Sequence, residues 1–232
     1  RFVEGGQEYT YESFKHKCLE LSHRFNRFGI SARDKVAILS GNMPNWTVAM
    51  FSCVPFGRVT VPILPDSSAS EVTNILNHSE CKAIFVSKKQ LGKLSQEVID
   101  KLTLVIDIET FELIKKDDKA FTCEGHGVDP QADDLASIIY TSGTSGKAKG
   151  VMLSHRNFCQ NVIAAYHAQK AGKRDRWLSI LPMSHTYEMA FSVLYPLYVG
   201  GCVYYIQKPP TPSILLQAMK KVRPTIMCSV PL

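Results

Sequence analysis

The chain has 232 residues with 27 Lys and Arg against 21 Asp and Glu, a net charge of +6, and is 45% hydrophobic and 21% charged. Those proportions read as an ordinary soluble globular protein. The longest apolar run, around Val193–Val199, is far short of the ~20 residues that cross a bilayer, and no leader of basic then apolar residues opens the sequence.

Phe14, Cys18, Leu21, Phe25 and Phe28 recur at helical spacing, and Gly29 stands where that helix should stop. Short apolar runs follow as strands: Val36–Leu39, Val59–Ile63, Ala83–Val86 and Leu104–Ile106. Helical patterns lie between them near Trp46–Phe56, Ser70–Leu76 and Leu91–Leu102. A polar stretch around 115–130 is either a subdomain boundary or a surface excursion. Leu135–Tyr140 reads as a further strand, followed by a helix near Asn157–Ala171, a strand at Trp177–Leu181 and a helix from Tyr187 to Tyr198. Val203–Ile206, Ile214–Val222 and Thr225–Cys228 continue the alternation. Strands alternating with helices predict an α/β fold with largely parallel sheets flanked by helices.

Between Leu135–Tyr140 and the apolar Val151–Leu153, residues Thr141 to Gly150 hold three glycines, four hydroxyl side chains and two lysines. Glycines let a loop bring backbone N–H groups close to a ligand, successive N–H groups make an anion-binding concavity, and lysines add charge. A polyphosphate is the natural ligand. A Walker loop needs G-x-x-x-x-G-K-[ST], but five residues beyond Gly143 stands Ala148, and five beyond Gly146 stands Val151. The dinucleotide-binding G-x-G-x-x-G spacing fails as well. The competing reading is a flexible linker, but linkers do not ordinarily run from one apolar strand to another.

The segment Thr141-Ser-Gly-Thr-Ser-Gly-Lys-Ala-Lys-Gly150 resembles the signature phosphate loop of the AMP-forming, adenylate-forming enzymes, T-S-G-T-T-G-x-P-K-G, with Ser145 for the second Thr and Ala148 for Pro. Other segments agree in the family's order: Tyr9–Phe14 with T-Y-x-E-L, Asp34–Leu39 and Asn42–Trp46 with D-R-V-A-I…N-x-P-E-W, and Val61–Pro65 with V-P-L-x-P. Leu181-Pro-Met-Ser-His-Thr-Tyr-Glu188 is similar to L-P-L-x-H-x-x-E, whose glutamate form is typical of long-chain fatty acyl-CoA synthetases.

The resemblance implies that residues 1–232 are the N-terminal part of an adenylation domain, with the rest of that domain and a C-terminal lid domain absent. Without the Y-G-x-T-E and T-G-D segments and the late catalytic lysine, the piece alone is expected to be inactive and to bind ATP weakly. The parent is expected to activate a fatty acid with ATP as an acyl-adenylate and pass it to CoA. The alternatives are a ligase for another acid or acceptor (an aryl or amino acid, an acyl carrier protein) and a non-catalytic nucleotide- or acyl-binding module.

By the same resemblance, Thr141, Ser142, Gly143, Thr144, Ser145, Gly146, Lys147 and Lys149 bind the ATP phosphates, and Thr141 approaches magnesium. His185 is the candidate catalytic residue at the substrate pocket, with a capping role as its alternative. Glu188 reads as a helix-start carboxylate stabilised by the dipole. His155 reads as part of a helix N-cap turn with Ser154 or Asn157 as caps. A stripe of Tyr187, Phe191, Leu194, Tyr195 and Tyr198 lines an acyl tunnel or simply faces the core. The positive charge suits ATP, CoA and an anionic membrane surface, or is an ordinary solvated face. The basic clusters at Lys82–Lys101 and Lys170–Arg176 lack interleaved aromatics, which argues against nucleic acid. Scattered cysteines with no C-x-x-C pair fit a reducing cytoplasm, with peripheral membrane attachment compatible.

Overall fold

The computed structural model describes residues 1–117, 128–141, 149–208 and 210–230. Helix α1 (Tyr11–Arg27) begins at Thr10, whose side chain accepts the Ser13 amide while Ser13 returns a bond to the Thr10 amide. Its apolar face buries Cys18, Leu21 and Phe25, and the chain turns out at Gly29 with φ +70°. Strands β1 (Lys35–Leu39), β2 (Val59–Ile63), β3 (Cys81–Val86) and β4 (Leu104–Asp107) follow, separated by α2 (Pro44–Phe51), α3 (Ala69–Ser79), α4 (Lys88–Leu91) and α5 (Gln96–Lys101).

Strands β5 (Leu113–Lys116), β6 (Leu135–Thr141) and β7 (Lys149–Ser154) complete a seven-stranded sheet of order β5-β4-β3-β1-β2-β6-β7. Its interior pairings are parallel, and β5 and β7 close its two edges antiparallel. Helix α6 (His155–Ala168), β8 (Arg176–Ser179), α7 (Thr186–Glu188), a π-helical segment Met189–Leu194, α8 (Tyr195–Val199), β9 (Cys202–Tyr205), α9 (Pro212–Val222) and β10 (Ile226–Met227) complete the chain. The last three strands form a parallel sheet of order β10-β8-β9.

The near-continuous apolar strands are explained by burial on both faces. Along β1, Val36 and Ile38 face one core with Leu21, Phe25 and Trp46, while Ala37 and Leu39 face another with Val72, Leu76 and Val98. β3 alternates in step, Ala83 and Phe85 against Ile84 and Val86. The first core continues to Met183, Met189, Val193 and Tyr205, so a middle layer of helices is shared by both sheets. On the far face of the second sheet, Leu178 packs with Ala218 and Val222 of α9. Among the described residues no helix is long and apolar enough to cross a membrane.

Four expected elements differ. The helix expected over Trp46–Phe56 ends at Phe51 and resumes as a 3-10 turn, Val54–Phe56, around Pro55. The one expected over Leu91–Leu102 is two short helices, because Ser95 caps a new start by accepting the Val98 amide. Part of the polar stretch is strand β5, paired with β4, in which Lys115 Nζ binds the Asp100 and Leu102 carbonyls and Asp117. Residues 118–127, where the expected boundary continues, lie outside the described residues. The strand expected over Trp177–Leu181 stops at Ser179 because the Leu181 carbonyl is taken by Asn42 Nδ2 at 2.6 Å.

The second sheet rests on a fully buried Trp177 whose ring meets Tyr195 edge to face, with centroids 5.8 Å apart. A Cβ added at Gly201 would stand 2.2 Å from the Trp177 ring. Gly201→Ala is therefore expected to destabilise the chain by about 1–3 kcal/mol, read as a lowered urea midpoint at unchanged slope. An unchanged midpoint would contradict this packing.

Candidate functional site

A cleft of about 690 Å³ opens where the carboxyl ends of the parallel strands of both sheets meet. Asn42 follows β1, Asp66 follows β2, Lys89 and Glu109 follow β3 and β4, and Ser179 and Lys208 come from the ends of β8 and β9. The carboxyl edge is the general ligand-binding edge of open α/β sheets. Because β6 runs parallel to β2, Thr141 leaves the first sheet on this edge.

Thr141 and Lys149 form the last cross-strand pair of β6 and β7. Both side chains are exposed, and among the described residues Lys149 has no ion-pair partner. Ser142, Gly143, Thr144, Ser145, Gly146 and Lys147 lie outside the described residues. At the base of this hairpin Gly150 stands opposite Tyr140, and a Cβ there would come within 2.8 Å of Ile138 Cγ2 and 3.3 Å of Tyr140 Cζ. The ring lies across the glycine, and its hydroxyl is 2.6 Å from His78 Nδ1. Gly150 is thus required by close packing rather than by a positive φ. The strand after it carries its apolar residues outward, with Val151 and Met152 exposed.

His185 is exposed and caps α7, its Nδ1 accepting the Tyr187 amide at 3.2 Å. That bond requires an unprotonated Nδ1 and leaves Nε2 free of the cap. Pro182 of the same turn lines the cleft, whereas His185, Thr141 and Lys149 do not. Ser154 and Asn157 both cap α6, in a reciprocal box that begins at His155.

Glu188 is not the solvated helix-start carboxylate expected from the sequence. It is fully buried, and its Oε1 accepts from Ser179 Oγ at 2.6 Å while Oε2 completes no hydrogen bond. Burial pushes the carboxyl up to about 7, against weaker opposing pulls from Ser179, Ser192 and the Ile180 and Leu181 amides. The helix of which it is part widens to a π-turn at Met189–Leu194, just before Pro196, which has no N–H for the Ser192 carbonyl. The widened turn splits the expected aromatic stripe. Tyr187 and Phe191 pair at 5.0 Å, Tyr195 turns onto Trp177, and Tyr198 lies exposed beside Tyr166.

Sequence reasoning missed the interior part of the site: Asn42 and Ser179 on the cleft wall, and the buried state of Glu188 behind them. Asn42 and Glu188 stand in segments whose likeness to family motifs was legible, but Asn42 acts through contacts 137 to 141 residues apart that no local pattern encodes. Among the described residues no group of three or more His, Cys, Asp or Glu could hold a metal. The described cysteines are free thiols, and Cys18, Cys53 and Cys81 are buried.

A family model described as AMP-binding enzyme matches residues 1–232. The chain is 29% identical to the long-chain-fatty-acid–CoA ligase heimdall of Drosophila melanogaster, over 98% of this chain and 37% of that protein. It is 28% identical to long-chain-fatty-acid–CoA ligase 1 of Cavia porcellus, over 97% of this chain and 36% of that protein. The chain thus spans little more than a third of the length of these relatives. In structure it is similar to the O-succinylbenzoate coenzyme A synthetase of Bacillus subtilis, solved in complex with AMP, with a TM-score of 0.78 at 20% identity, over 96% of this chain and 56% of that one.

Proposed function

We propose, from the premise that the chain belongs to the AMP-binding enzyme family, that it is the N-terminal part of the adenylation domain of an ATP-dependent, AMP-forming long-chain fatty acid:CoA ligase. The observation that carries this reading is the pairing of Thr141 with Lys149 at the carboxyl edge of the sheet, at the two ends of a glycine-, hydroxyl- and lysine-rich sequence. In the proposed reaction a fatty carboxylate attacks the α-phosphorus of ATP and pyrophosphate leaves. The CoA thiol then attacks the acyl carbonyl, and AMP leaves.

In that reaction Thr141, Ser142, Thr144 and Ser145 offer hydroxyls to the β- and γ-phosphates, the backbone at Gly143 and Gly146 approaches them closely, and Lys147 and Lys149 supply charge. Magnesium suits this site because it retains waters and is held largely through substrate phosphates rather than by a protein cage. Thr141, exposed at the strand end, is the residue proposed to approach it, and bound magnesium would neutralise phosphate charge. His185, with Nε2 free, is assigned to the pocket for the acid. The two long-chain ligases among the relatives favour a long acyl chain. We place the whole protein in the cytoplasm, with its basic surface available to an anionic membrane face.

The test is to incubate the whole protein with ATP, CoA and a panel of long-chain, aryl and amino acids, and to follow nucleotide and thioester products together. AMP released in step with long-chain acyl-CoA is expected. ADP as product, or preference for an aryl or amino acid, would overturn the assignment.

A further inference from the structure

A hydrogen-bond chain, half-buried at Asn42 and fully buried at Glu188, runs from the first sheet to the second along the cleft wall. Asn42, in the loop after β1, donates from Nδ2 to the Leu181 carbonyl at 2.6 Å and to Ser179 Oγ at 3.2 Å, and its Oδ1 accepts the Met183 amide at 3.0 Å. Ser179 Oγ in turn donates to Glu188 Oε1 at 2.6 Å. The donors all point one way, from Asn42 through Ser179 to Glu188. Asn42 and Ser179 line the cleft, and Glu188 lies fully buried behind them.

Among the described residues no Lys, Arg or His pairs with Glu188, so its place is not explained by an ion pair. The buried hydroxyl of Ser184 completes no hydrogen bond either. Buried polar atoms left without partners beside a π-turn are unusual in structural cores and recur at functional sites.

We propose that Asn42, Ser179 and Glu188 are positioning residues that hold the Leu181–His185 turn, whose Pro182 lines the cleft, in register with the place where the acid is activated. The catalytic part of this inference rests on the ligase reading, whereas the geometric part does not. Asn42 satisfies the turn at Leu181 and Met183, and Glu188 fixes the rotamer of the serine that Asn42 also binds. A neutral carboxyl serves as well as an amide in accepting from Ser179, so the network is predicted to work with Gln at position 188.

The groups that face Glu188 are Tyr187 on its own helix, Tyr205 from β9 and Cys228 beyond β10. Burial raises Tyr205 and Cys228, and the neighbouring Cys228 raises Tyr187, so none of the three becomes charged near neutrality. Glu188 is the member of that set that titrates there, and its charged form would repel an anionic substrate through the cleft wall.

The test has two arms. In the chain itself, Glu188→Ala and Asn42→Ala are expected to lower hydrogen-exchange protection of the Met183 amide and shift the His185 ring resonances, while Glu188→Gln leaves both near wild type. In the whole protein, Glu188→Ala and Asn42→Ala are expected to lower kcat for adenylate formation by about 100-fold, the scale of a small misplacement of reacting groups, with KM for ATP little changed. Glu188→Gln is expected to restore kcat and to flatten its decline as pH rises through neutrality.

Unaltered Met183 protection and His185 resonances in both alanine variants would overturn the network. Altered resonances with wild-type kcat would overturn its positioning role. A wild-type protein that activates no acid would instead overturn the ligase reading, with the first arm still deciding the geometry.

Discussion

Glu188→Gln is expected to gain stability relative to the wild-type chain as pH rises from 4.5 to 7. The Glu188 carboxyl is raised from an ordinary 4.5 to about 7 because it is buried. In that window the folded chain holds a proton that the unfolded chain has released. The wild-type chain therefore loses the increment of stability contributed by protonated Glu188 progressively as pH rises through this window. A shift of this size corresponds to roughly 3 kcal/mol, and Gln, which cannot ionise, avoids the loss. The exposed carboxylates held low by hydrogen bonds, Glu71, Glu97 and Asp133, bias stability the other way at lower pH, but they are common to both chains and cancel in the difference. Urea unfolding of the two chains at several pH values checks this. Parallel profiles would mean that Glu188 is ionised in the folded chain.

The second large effect is expected at Thr141 and Lys149, the ends of the proposed phosphate loop. Thr141 and Lys149 are exposed, and neither supports the core. Replacing either with Ala should change stability by no more than about 0.5 kcal/mol, as for other surface positions. If they meet the triphosphate, adenylation by the whole protein should fall by about 10²–10³-fold, the usual effect of removing one preorganised donor to developing charge. A large activity loss at constant stability assigns them to the nucleotide. Equal losses of both would make them structural.

The sheet architecture was legible because strands buried on both faces read as apolar runs whatever their neighbours are. Val36–Leu39, Val59–Ile63 and Ala83–Val86 all fall within observed strands. Strand β5 was not legible, since an edge strand buries little and its Leu113–Lys116 alternates into solvent. The π-turn was hidden for a different reason. Its sequence keeps an apolar helical stripe, and only the missing N–H of Pro196 signals that the ladder must widen.

At the candidate site, local sequence singled out Thr141 and Lys149, which form the last pair of β6 and β7, while the long-range contacts of Asn42 were not legible. The glycine at position 150 was expected for backbone freedom, but it is held by the ring of Tyr140. Glu188 looked like a helix-start carboxylate because an acidic residue in the first turn of an apolar helix ordinarily faces solvent and the dipole. Its environment is assembled from Ser179, Ser192, Tyr205 and Cys228, which belong to different elements.

The measurement that bears most directly on the account is exchange of labelled pyrophosphate into ATP by the whole protein, with and without a long-chain fatty acid. The account predicts exchange that depends on the acid and on magnesium, because formation of the acyl-adenylate is reversible. No exchange with any carboxylic acid would contradict it, and would leave the chain a binding module on an adenylating fold.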